Sequence, residues 1–99
     1  MPSKRTIACS ISKKVREDVV CRDRGKCIFC QTDRSLQVMH FIPRSAGGLG
    51  IEENLACGCW KCHERLDHSI DRRQMMIHFR RCLENFYPEF KDEERKFKK

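Results

Sequence analysis

Two Cys-x-x-Cys pairs, Cys27-Ile28-Phe29-Cys30 and Cys59-Trp60-Lys61-Cys62, constrain this chain more than any other feature. Each spacing lets a tight turn aim two thiolates at one ion, and two such knuckles complete a tetrahedral site. The need for a staple follows from size. A chain of 99 residues buries only ~60–65% of its unfolded surface, so a hydrophobic core alone is marginal. The competing explanation of eight cysteines is a disulfide-bonded secreted scaffold. The paired spacings weigh against it, as does the polar start Met1-Pro2-Ser3-Lys4-Arg5-Thr6, which no apolar stretch follows. A Cys₄ zinc site would supply folding free energy on the order of 10 kcal/mol. Cys57 competes with Cys59 as a ligand; Cys59 is preferred because it repeats the first pair's spacing. Cys9, Cys21 and Cys82 read as small, partly buried thiols.

Charge narrows the partner. Lys+Arg 21 against Asp+Glu 14 leaves a formal +7, which favours a polyanion, either nucleic acid or an anionic membrane surface. No apolar run is long enough to span a bilayer.

Residues 1–11 read as a basic, flexible arm. Ser12 is a suitable N-cap for a helix over 13–24, with Val15, Val19 and one of Val20 or Cys21 as its apolar stripe and Gly25 as its stop. Leu36-Gln37-Val38-Met39-His40 reads as a short strand ended by Pro43, and Leu55-Ala56-Cys57 as a second. A helix is expected from Trp60 or Lys61 to Asp67 or His68. A last helix over 71–86, capped by Ser69 or Asp71, buries Met75, Phe79, Leu83 and Phe86. Residues 88–99 read as a solvated, charged tail. The expected unit is therefore one domain over 12–87 between an arm and a tail.

Between the knuckles lies His40-Phe41-Ile42-Pro43-Arg44-Ser45-Ala46-Gly47-Gly48, then Asn54-Leu55, then Cys62-His63. His40 ends a strand and enters a glycine-rich loop. His63 and Asp67 are four residues apart, so on a helix they share a face and can converge on one ion. A histidine base and a nearby divalent ion are the equipment for metal-assisted hydrolysis, and on a basic protein the fitting substrate is a phosphodiester. The glycine loop is not a Walker-type phosphate loop, because no Gly-Lys-Ser/Thr follows it. His68 and His78 have no partner at motif spacing. Arg44, Arg65, Arg72, Arg73, Arg80 and Arg81 are the candidate phosphate contacts.

In these motifs the chain resembles the HNH endonucleases, most of all the small stand-alone type of phages and prophages. The resemblance covers about residues 12–68 and is strongest over 40–67. It implies an α+β fold: a zinc-stapled ββα-metal (His-Me finger) nuclease core with flanking helices. By resemblance, His40 matches the general base, Asn54 the residue that braces loop and base, and His63 a ligand of the catalytic ion. Asp67 falls where some members, such as colicin nuclease domains, place a further ligand. Cys27, Cys30, Cys59 and Cys62 match the structural zinc ligands.

One position departs from the pattern. Met39 stands where the family usually has a metal-binding Asp or His, and a thioether is a poor ligand for hard Mg²⁺ or Mn²⁺. Asp67 is expected to compensate. The resemblance implies a catalytic divalent ion (Mg²⁺ or Mn²⁺, with Zn²⁺ or Ni²⁺ as alternatives), double-stranded DNA as partner and products with 5′-phosphate and 3′-hydroxyl ends. A cytoplasmic monomer or homodimer that nicks or cleaves DNA is expected. The alternative is a non-catalytic zinc-bound module that only binds DNA.

Overall fold

In a computed structural model, residues 2–98 are described, and they build a two-stranded hairpin covered on both faces by helices. The strands are β1 (Leu36–His40) and β2 (Leu55–Cys59), antiparallel in the register Leu36↔Cys59 to His40↔Leu55. The helices are α1 (Lys4–Cys9), α2 (Lys13–Arg22), α3 (Trp60–His68) and α4 (Arg72–Phe86). Ser12 caps α2 by accepting from the Val15 N–H, as its sequence position predicts. Cys59 caps α3 through its sulfur, which accepts from the Cys62 N–H, so the second knuckle is also a helix start.

Strand alternation divides the interior in two. On one face Met39 and Ala56 meet Leu66 of α3 and Met75, Phe79 and Leu83 of α4. On the other, Val38, Leu55 and Cys57 pack against Val15 and Val19 of α2. Met39 is 1% exposed and lies over Gly58. A Cβ at Gly58 would come within 2.4 Å of the Met39 sulfur, so the absent side chain there is what admits the methionine. Phe86, expected in the core, is 47% exposed. It carries the Arg22 guanidinium 5.1 Å above its ring instead.

Both ends of the chain differ from their expected form. Residues 4–9, expected as a flexible arm, form α1, capped by Ser3, and its last residue Cys9 is buried. The Gly50 N–H donates to Ala8 O at 3.0 Å, and Arg5 Nη2 donates to Ser45 O at 3.1 Å, tying α1 to the loop after β1. The tail does not fray either. A 3-10 turn over Asp92–Arg95 buries Arg95 to 2% exposure. Arg95 donates to Glu53 O, Phe90 O and the Asp92 carboxylate and lies over Phe41 and Phe90. The tail then pairs along the glycine loop through Leu49 N–H to Arg95 O and Phe97 N–H to Gly47 O, both 2.8 Å. Alternation and helical periodicity do not register contacts of this kind, which are made by backbone and by one buried arginine.

Candidate active site and metal centre

The sulfurs of Cys27, Cys30, Cys59 and Cys62 all lie within 4.8 Å of one another, and Cys30 and Cys59 are 3.6 Å apart. A tetrahedral zinc with Zn–S bonds of ~2.3 Å has edges of ~3.8 Å, so spacing and donor set fit a structural zinc with no open position. None of the eight cysteines is in a disulfide. Burial raises the Cys27 thiol, but backbone N–H groups of Cys30, Cys59 and Phe29 outweigh it and bring the group to about 7. Cys57 is not a competitor. It packs beside Val19 and Leu55 on the α2 face, and burial together with Asp23 pushes it up to about 11.

His63 and Asp67 meet on the exposed side of α3, with Nε2 3.6 Å from Oδ2. Two ligands ~2.1 Å from one ion stand about 3–4 Å apart, so the pair can share a divalent cation without rearrangement. The other ring nitrogen of His63 lies 2.6 Å from Gln37 Oε1. An amide oxygen only accepts, so Nδ1–H is the donor, and Nε2 is the ring nitrogen turned toward Asp67. Gln37 is thus a site residue that motif matching does not single out. The signal available is strand alternation, which puts Gln37 on the face of β1 that α3 crosses. Arg72 Nη1 approaches Asp67 Oδ1 to 4.0 Å.

His40 belongs to the opposite face of β1. Its Nε2 lies 3.0 Å from Cys9 O at the end of α1, and a carbonyl can only accept, so Nδ1 is left as the basic atom. Burial lowers the His40 pKa; the Cys9 carbonyl opposes this, and the charges of Arg44 and His63 add to the lowering. His40 is therefore neutral and able to take a proton near pH 7. Among the described residues the four sulfurs form the ligand cluster; His40 does not join His63 and Asp67 in a second one.

Asn54 is fully buried and braces the loop between the two strands. Its Oδ1 accepts from Ile42 N–H at 2.9 Å, while Nδ2 donates to Ile42 O at 3.2 Å and Leu49 O at 2.9 Å. Phe41 N–H, next to His40, donates to Asn54 O at 2.8 Å. Close packing in the loop depends on Gly48, where a Cβ would fall 1.6 Å from Ile42 O. Met39, adjacent to His40, turns into the core and offers no ligand.

The candidate phosphate contacts do not form one patch. Arg65 is paired with Asp71 at 2.9 Å, and Arg72 donates to Leu66 O at 3.0 Å. Arg44 is exposed near Ser10 Oγ. Arg73 is exposed on α4 and lines a groove with Phe41, Arg80 and Arg81. Arg80 is held by Asp92 at 2.8 Å. His78 Nε2 lies 2.6 Å from Ile28 O and ties α4 to the first knuckle.

Comparison with known proteins agrees with this geometry. The family model described as HNH endonuclease matches residues 27–79, from the first zinc cysteine to the middle of α4. Among solved structures, the type IV phosphorothioation-dependent restriction endonuclease ScoMcrA aligns over 80% of this chain with a TM-score of 0.66 at 18% identity. The aligned part is 17% of that much longer chain. No curated protein matches the chain.

Proposed function

The chain belongs to the HNH endonuclease family, and from that premise we propose that it is a metal-dependent endonuclease that hydrolyses DNA phosphodiester bonds. The observation that carries the reading is the His63–Asp67 pair, 3.6 Å apart and oriented by Gln37, on the exposed face of the helix that starts at the second cysteine knuckle. His63 and Asp67 would hold the divalent ion, which when bound would supply Lewis-acid stabilisation of the charge on the phosphate and the leaving 3′ oxygen. His40 Nδ1 takes the proton from the attacking water, and the Cys9 carbonyl holds the ring in the tautomer that leaves that atom free. This reading requires one scissile phosphate to reach both His40, at the end of β1, and the His63–Asp67 pair, held by Gln37 of the same strand. The chain's positive charge draws in the DNA backbone, with Arg44, Arg65, Arg72 and Arg73 as the candidate contacts. One such site in a monomer gives nicks in duplex DNA.

A second reading is favoured by one observation. Met39 is buried where a third metal ligand would stand, which suits a module that keeps the fold and binds DNA without cutting it. Supercoiled plasmid incubated with Mn²⁺ or Mg²⁺ separates the two. The enzyme reading expects nicked product from wild type and loss of nicking with retained binding in His40→Ala. Binding without nicking under every divalent ion sinks it in favour of the module.

A further inference from the structure

Trp60, His63 and Asp67 fall at i, i+3 and i+7 of α3 and so share one stripe of the helix, while Cys62 and Leu66 turn into the core. Trp60 is the chain's single tryptophan, and it is 48% exposed. Concavities of about 490 and 480 Å³ flank it, and both are lined by Lys61 and Arg65. Arg34 lines the first of them, and the Lys61 ammonium lies over one face of the indole, 6.0 Å from the ring centroid, leaving the other face for a base. The cysteine cluster anchors the main chain at Trp60, since Trp60 follows Cys59 directly and its backbone N–H donates to Ser35 O at 3.2 Å. A half-exposed aromatic face with Lys61, Arg34 and Arg65 beside it, and Glu64 as the one carboxylate among the described residues that line the same concavities, is the equipment of a base-stacking platform on a strand of nucleic acid.

We propose that Trp60 stacks an unpaired base of the DNA strand, so that the bound substrate carries an accessible base (a single strand, gap, flap or nick) beside the His63–Asp67 pair. Base pairs inside an uninterrupted duplex are stacked on both faces and offer no free π-surface to the indole, whereas every unpaired base does. Lys61 and Arg34 then meet the phosphates on either side of the stacked base. The inference rests on the DNA reading above only for the identity of the ligand, because stacking needs no cleavage.

The test uses the intrinsic fluorescence of the only tryptophan, without added divalent ion. A short single-stranded oligonucleotide is expected to quench Trp60 on binding, and the blunt duplex of the same sequence to bind without comparable quenching. Trp60→Ala is expected to lose about ten-fold in single-strand affinity and much less in duplex affinity, while Trp60→Phe recovers most of the loss. Saturating single-strand binding with unchanged fluorescence overturns the proposal, as do equal losses for both DNA forms in Trp60→Ala. Quenching by the oligonucleotide, with plasmid, gapped duplex and single strand all left uncut under every divalent ion, supports the stacking site and sinks the nuclease reading alone.

Discussion

His63 donates its Nδ1–H to Gln37 Oε1 at 2.6 Å across the gap between α3 and β1. The bond holds the ring with Nε2 toward Asp67, and in the proposed site Nε2 would be the nitrogen that meets the ion. Gln37→Leu, which keeps the size and loses the acceptor, is expected to weaken Mn²⁺ dependence of activity by roughly ten-fold or more without unfolding the chain. Mn²⁺ titrations of nicking, with circular dichroism as a fold control, check this.

Zinc removal is expected to unfold the protein rather than merely inactivate it. The four sulfurs join the segment before β1 to the β2–α3 junction, and metal binding contributes on the order of 10 kcal/mol to structures of this kind. Cys27→Ser, or a strong chelator, should abolish the cooperative thermal transition. A chelated protein that keeps its helical circular dichroism contradicts the structural role.

Asn54→Ala leaves Ile42 N–H and the carbonyls of Ile42 and Leu49 unpaired in or near the interior. The expected cost is about 3 kcal/mol, which for a domain of this size lowers Tm by more than ~10 °C. Differential scanning calorimetry measures it directly.

In the proposed reaction the acid limb of the activity profile is expected to report His40. Burial, opposed by the Cys9 carbonyl, holds its folded pKa below the usual 6.5, so the base form survives to lower pH than in a free histidine. The same shift sets a stability trend. Above pH 6.5 both folded and unfolded chains hold a neutral ring. As pH falls from there through the folded pKa, the unfolded chain gains the proton first and stability is lost. Denaturant titrations from pH 7.5 to 5 should show this loss in wild type and a smaller one in His40→Ala, and the nicking rate should fall with a midpoint below 6.5.

Arg95 is the anchor of the C-terminal strap. Arg95→Ala removes a buried guanidinium with three acceptors and uncovers Phe41, for an expected loss of about 2–4 kcal/mol. Urea unfolding midpoints of the variant and wild type test the figure.

Much of the site is local and therefore legible in sequence. The two knuckles, the strand before His40, the capped helix after Cys59 and the i, i+4 relation of His63 and Asp67 follow from spacing and period alone, and all are present. Contacts made across the fold are not legible in this way. Gln37 on His63, the Cys9 carbonyl on His40 and Arg95 under the loop join residues 26, 31 and 42 positions apart. Two of the three use backbone oxygens, which carry no residue signature. Met39 shows the reverse limit. Its departure from the metal-binding pattern is visible in sequence, but its destination over Gly58 depends on a residue nineteen positions away.

The central claim is that His40 and the His63–Asp67 pair do separate jobs in one cleavage reaction. The most direct measurement is the rate of supercoiled-plasmid nicking against Mn²⁺ concentration for wild type, His40→Ala and Asp67→Ala. The account predicts that His40→Ala lowers the plateau by about 10²–10⁴-fold with the Mn²⁺ midpoint kept, and that Asp67→Ala moves the midpoint to higher Mn²⁺. No Mn²⁺-dependent nicking in wild type, or wild-type curves from both variants, contradicts it.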